Sequence, residues 1–165
     1  MKKIYSFVAA LVVAMVVLVS CASENTKKAL AIYDAVKAND VAKVEALVNE
    51  LSANKANLTA DECVGVLAGI SFQLADANQK QDVEKSKQLA NNFISLYTDA
   101  SAKADAAKAF ETAKKNGFDA AAMAKTFQDQ LAAAQAAAEQ AAQAAEAGAA
   151  EGEAAEGEAA EGEAE

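Results

Sequence analysis

The sequence predicts an all-α fold, a small antiparallel bundle of about five or six helices, and three observations carry that prediction. Pro, His, Trp and Arg are absent, Ala is abundant and Lys is the sole basic residue, a composition that suits helices better than sheets. Apolar residues recur at spacings of three and four along most of the chain. Between these periodic stretches lie cap-forming residues, Asn39-Asp40, Thr59 with Glu62, and Asn116-Gly117, at the places where helices would stop and start.

The first element is not part of the bundle. Met1, Lys2 and Lys3 give a positive start, and residues 4–19 form an apolar run of sixteen in which Ser6 is the one polar member, counting Tyr5 as apolar. A spanning helix needs about 20 apolar residues, and this run ends at small residues instead of a basic cluster, so it reads as a secretory signal. The residues at its end, Leu18-Val19-Ser20-Cys21, resemble the lipobox of bacterial lipoproteins at all four positions. That resemblance implies cleavage between Ser20 and Cys21, a diacylglyceryl group on the Cys21 sulfur and acylation of the new N-terminus. The membrane partner would then be reached through the lipid on Cys21. Residue 22 is Ala and not Asp, which in enterobacterial-type sorting favours the outer membrane, with the domain on its periplasmic or surface face.

Residues 21–28 read as the lipidated N-terminus and a short polar tether. From Ala29, a first helix carries Ile32, Tyr33 and Val36, and a second carries Val41, Val44, Leu47, Val48 and Leu51, with Asn39 or Asp40 capping it. Thr59 and Glu62 form the T-x-x-E pattern of a capping box, with Leu58 and Cys63 placed as a hydrophobic staple. The helix that follows has an apolar stripe of Cys63, Val66, Leu67, Ile70 and Leu74, with Gly65 and Gly69 on a neighbouring face where another helix can approach. Asn78 and Gln81 are candidates to open the next helix, with Leu89, Phe93, Leu96 and Tyr97 on its face and a bend or break expected around Thr98 to Ser101. A fifth helix carries Ala107 and Phe110 and closes at Asn116-Gly117. Asp119 then caps the last one, flanked by Phe118 and Met123.

The last helix starts with Met123, Phe127 and Leu131 on its seam, but ten of the fourteen residues 132–145 are Ala. Such a segment is helical by propensity and has little to bury, so it reads as an extension of the bundle. Residues 149–163 repeat A-A-E-G-E three times, and the predicted tail, 148–165, reads as disordered: Gly and repelling Glu oppose a helix and no large apolar residue is present. The predicted organisation is thus a signal at 1–20, the lipidated tether at 21–28, a bundle at 29–131, an Ala-rich helical extension at 132–147 and the tail.

Net charge is −9, and residues 146–165 hold eight Glu and no Lys, so the rest of the chain is nearly neutral. With Lys spread among acids, nothing in the sequence suits a phosphate backbone, and no nucleic-acid partner is expected. No His is present, and no calcium-loop or phosphate-loop spacing appears, so no metal or cofactor is expected. Two acid pairs, Asp61-Glu62 and Asp82 with Glu84, are neighbours in helix turns and do not converge across a cleft as hydrolysis requires. No catalytic residue is assigned. Cys63, on an apolar stripe, reads as an inert packed thiol. Tyr33, Phe72, Phe93, Tyr97, Phe110, Phe118 and Phe127 read as the bulky part of the core instead of a ligand groove. The expectation is a non-catalytic lipoprotein of the bacterial cell envelope that binds or scaffolds an envelope protein, the alternative being a passive spacer or surface-coat component.

Overall fold

The computed structural model describes the backbone of residues 23–153 and the side chains of residues 23–143. Ser20, Cys21, the predicted signal and the end of the predicted tail lie outside them. Six α-helices and no strand are present among the described residues: α1 Glu24–Lys37, α2 Val41–Ser52, α3 Ala60–Gln79, α4 Val83–Ser101, α5 Ala106–Lys115 and α6 Ala120–Glu153. A 3-10 turn, Lys55–Asn57, lies between α2 and α3. The described residues divide into two compact units, one ending at Gln128 and the other beginning at Asp129.

In the first unit α3 is the central helix, packed against α1, α2, α4 and α5. Its sequence explains that position: every residue from Glu62 to Ile70 is buried, so it presents no fully polar face. Gly65 and Gly69 let its neighbours approach. A Cβ on Gly65 would sit 3.0 Å from the Cβ of Ala29 on α1, and one on Gly69 would sit 2.5 Å from Val48 Cγ2 on α2 and 2.9 Å from Ile32 Cγ2 on α1. The two glycines therefore serve close packing within this chain. Val48 and Ile32 are β-branched and cannot swing aside at χ1. Gly69→Ala is expected to incur an overpacking cost of about 1–3 kcal/mol, only partly offset by the ~1 kcal/mol that Ala gains over Gly in a helix. Thermal melts should show a larger loss for Gly69→Ala than for Gly65→Ala.

Three of the turns share one device. Asn39, Gln81 and Gly117 have positive φ, 55°, 57° and 88°. Each lies just past a helix end, and the N–H of the following residue reaches back to a carbonyl in the last turn: Asp40 to Ala35, Asp82 to Ala77 and Phe118 to Ala113, at 2.9–3.0 Å. Asp40 and Asp82 then cap the next helix at once, accepting from the N–H groups of Lys43 and Lys85, each at 3.0 Å. Asp119 does the same for Ala122, also at 3.0 Å.

This arrangement corrects or refines three expectations about local structure. Asn78 and Gln81 do not open a helix: Asn78 lies in the last turn of α3 and Gln81 closes it, so the start signal is Asp82. The break expected around Thr98 to Ser101 falls at the far end of that stretch, where α4 stops at Ser101 and α5 begins at Ala106. The hydroxyls of Thr98 and Ser101 donate to the carbonyls of Ile94 and Tyr97, at 2.9 and 2.7 Å, and α4 runs on to Ser101. The residues from Glu24 onward that read as a tether are already helical, because Ser23 accepts from the Thr26 N–H at 3.1 Å and caps α1.

The core reading of the aromatic residues holds for five of the seven. Tyr33, Phe72, Phe93, Phe118 and Phe127 are buried, whereas Tyr97 and Phe110 are half-buried and lean on each other with ring centroids 5.1 Å apart. In the second unit, residues 132–143 are exposed throughout, as a segment with almost nothing but methyl groups to bury would be. The helix carries through to Glu153, past the expected start of the tail at residue 148.

Candidate functional site

Two places in the first unit bring polar groups together in a way that secondary structure alone does not require. The first is the N-terminal end of α3. The capping box forms as expected: Thr59 Oγ1 accepts from the Glu62 N–H at 3.2 Å, and Glu62 Oε2 accepts from the Thr59 N–H at 2.9 Å. Leu58 and Cys63, the staple pair, are both buried. Asp105, at the start of α5, adds a further cap by accepting from the Ala60 N–H at 3.3 Å.

The other carboxylate oxygen of Glu62 has a role that the local sequence does not show. Oε1 accepts from the hydroxyls of Ser23, at 2.8 Å, and Thr26, at 2.7 Å, in the first turn of α1. Glu62 is buried, yet its carboxyl titrates below its ordinary value. Burial alone would raise it, but donation from Thr26, the Thr59 backbone and Ser23 outweighs that cost. The clamp fastens the second residue after Cys21 to the central helix.

Neighbouring Asp61 behaves oppositely. Its carboxyl is raised by burial and by the negative charge of Asp105, against the pull of Lys108. The two adjacent acids are thus pushed in opposite directions, Asp61 in part by the negative charge of Glu62 itself. Asp82 is occupied as a cap, and Glu84 lies 3.9 Å from Lys87 at the surface. Cys63 is fully buried and its thiol is pushed up to about 11 by burial, so it stays protonated and unreactive. Among the described residues no three His, Cys, Asp or Glu side chains are grouped to hold a metal.

Glu62→Gln tests the clamp. The amide has one acceptor oxygen where the carboxylate uses two, so either the Thr59 N–H or the two hydroxyls of α1 lose their partner. Hydrogen bonds to a charged group contribute about 1.5–3 kcal/mol, so a lower melting temperature, by roughly 10 °C, is expected near neutral pH. Because the folded-state carboxyl is lowered, the contribution is complete above the ordinary Glu value of 4.5 and disappears as pH falls through the folded value. Asp61, being raised, changes stability in the opposite sense. The diagnostic quantity is therefore the difference between wild type and variant, which should shrink below pH 4.5.

The second place is a cleft of about 230 Å³ between α2, the 3-10 turn, α3 and α4. Val48, Ile70, Leu89 and Leu96 make its apolar wall, and Asn49, Ser52, Asn92 and Ser95 supply neutral polar groups. Lys55 stands at the edge, bonded to Asp99 at 2.7 Å with Ser95 Oγ 3.5 Å away. Lys85 and Glu45, 3.2 Å apart, tie α4 to α2 elsewhere along the same pair of helices. Gln73 of α3 also lines the cleft. It is only 4% exposed, and its Nε2 has no hydrogen-bond partner.

Sequence reasoning missed Gln73, although its position three residues after Ile70 and next to Leu74, on the apolar side of α3, is a signal that could have found it. A buried polar residue there asks for a partner. The cleft itself was not legible, because its residues come from segments whose packing the periodicity does not specify.

No protein-family model matches this chain, and no curated protein and no solved structure is detectably similar to it. Among the described residues no helix is long and apolar enough to cross a membrane.

Proposed function

We propose that this chain is a lipoprotein of the bacterial cell envelope, anchored through acylated Cys21, whose helical bundle is a non-catalytic binding or scaffold module. The anchor rests on the lipobox Leu18-Val19-Ser20-Cys21 behind its apolar run, with cleavage after Ser20. The outer membrane is the favoured location, on the residue 22 criterion. The clamp of Glu62 on Ser23 and Thr26 fits such an anchor, because it starts the folded domain two residues past the lipid and leaves almost no free tether.

The observation that carries the binding role is the cleft itself, a recess of about 230 Å³ whose wall combines neutral polar and apolar side chains from α2, the 3-10 turn, α3 and α4. A passive spacer needs no such recess. Site-specific photo-crosslinking in intact cells tests the role. With the crosslinker at Ser95, on the cleft, a discrete adduct is expected; at exposed Lys115 on α5 it is not. The same adducts at both positions, or none at either, would favour the spacer.

A further inference from the structure

We propose that the end of the bundle at which α1, α3 and α5 begin is a membrane-facing surface that rests among lipid headgroups without entering the hydrocarbon. The proposal depends on the Cys21 anchor and adds an orientation to it. Its basis is the fixed position of Ser23, the first described residue. Ser23 Oγ donates to Glu62 Oε1 at 2.8 Å and accepts from the Thr26 N–H at 3.1 Å, which holds the start of α1 against the first turn of α3. Extended chain spans at most about 3.6 Å per residue, so an acylated Cys21 reaches no more than about 7 Å from Ser23. The end of the bundle that carries Ser23 is therefore the end drawn to the bilayer.

Further contacts show what else lies at that end. Asp105 accepts from the Ala60 N–H at 3.3 Å and Lys103 Nζ donates to the Ala56 carbonyl at 3.5 Å, which brings the turn between α4 and α5 onto the 3-10 turn and the start of α3. Lys55 pairs with Asp99 near the end of α4, and Lys28 with Glu50 near the end of α2, at 2.7 and 2.8 Å. The surface so formed is polar. Asn54, Ala56, Asn57 and Thr59 are exposed on it, while Leu58 is buried beneath them. Val83, the one large apolar side chain exposed among the described residues, stands at the opposite end, where α4 begins. Entry into hydrocarbon is driven by apolar area, and this end offers little beyond the acyl chains themselves. Its lysines are paired with acids, so the contact does not call for an anionic lipid. α4 has 19 residues, about 28 Å at 1.5 Å per residue, so Val83 is held that far from the turn at the other end of the helix.

The test uses the full chain, purified from membranes and reconstituted into phosphatidylcholine vesicles, with single introduced cysteines carrying a fluorophore. Cys21 is blocked by its lipid and Cys63 is buried, so the introduced thiol alone reacts. Asn57→Cys and Ala104→Cys, both on exposed positions, report the proposed surface, and Val83→Cys reports the far end. Each is read with a small share of lipid spin-labelled either at the headgroup or deep in the acyl chain. The headgroup label is expected to quench the Asn57 and Ala104 variants severalfold more strongly than the Val83 variant, and the deep label to quench none of them. Equal headgroup quenching at all three positions, or stronger quenching at Val83, overturns the orientation. Deep-label quenching at Asn57 or Ala104 overturns the placement among headgroups. Flotation of the same samples separates this from the anchor reading: protein that does not float with the vesicles removes the anchor and the surface together, whereas protein that floats with the wrong quenching pattern removes the surface alone.

Discussion

Cys21→Ala is expected to abolish fatty-acid labelling of this protein and to weaken its hold on the membrane. Each buried methylene of an acyl chain contributes about 0.8 kcal/mol, and a single chain anchors only marginally, whereas two or three make release negligible. Removing the sulfur removes the diacylglyceryl group and, with it, the modified N-terminus that the lipobox resemblance implies. What is left to hold the chain is the apolar run of sixteen residues, short of the about 20 that span a bilayer. Radiolabelled palmitate incorporation into wild type and variant, alongside membrane fractionation, reads both effects. Unchanged labelling in the variant would show that the lipid, if present, is carried elsewhere.

Phe93→Ala is expected to produce the largest loss of stability of any single truncation in the bundle. Phe93 is fully buried on α4 and meets Phe118 and Phe127 edge to face, with ring centroids 6.5 and 5.1 Å away and interplanar angles of 73° and 86°. Phe118 lies in the turn between α5 and α6 and Phe127 on α6, so one ring joins three parts of the fold. Elsewhere Ala supplies much of the core, including Ala60, Ala68, Ala100 and Ala113, and leaves little other bulk to close a cavity. Phe→Ala in a core costs about 3–5 kcal/mol, against about 5–15 kcal/mol of total stability for a typical domain. Urea unfolding followed by circular dichroism should show the midpoint falling accordingly. A loss below ~1 kcal/mol would mean that the three rings are not the keystone their contacts suggest.

The helices themselves were readable because their signals are local. Thr59 and Glu62 lie three residues apart, and so do Asp40 and Lys43, so the chemistry that starts those helices is contained in a few consecutive positions. Gln81 shows where local reading fails. A Gln with positive φ has no characteristic pattern, and the closing bond from Asp82 to Ala77 depends on backbone geometry instead of residue type. The α4 continuation past Thr98 shows another limit, since a hydroxyl that can cap a helix can equally bond the carbonyl four residues back.

Long-range polar partners were not readable at all. Glu62 has a sufficient local explanation in its capping box, which hides the two hydroxyls of α1 lying 39 and 36 residues earlier in the chain. Likewise the glycines of α3 announce that something approaches closely, but that it is Val48 and Ile32 of this same chain emerges only from the packing. In Cys63 and Cys21 the sequence context separated two identical side chains. The structure places Cys63 in the buried core, and Cys21, outside the described residues, is proposed as the attachment point on the lipobox resemblance alone.

The central claim, attachment through Cys21, is tested most directly by mass spectrometry of the N-terminal peptide of protein extracted from membranes. The account predicts a peptide that begins at Cys21, lacks residues 1–20 and carries the mass of a diacylglyceryl group with a further acyl chain on its amino group. A peptide that still begins at Met1, or one in which Cys21 is present with a free thiol, would contradict it.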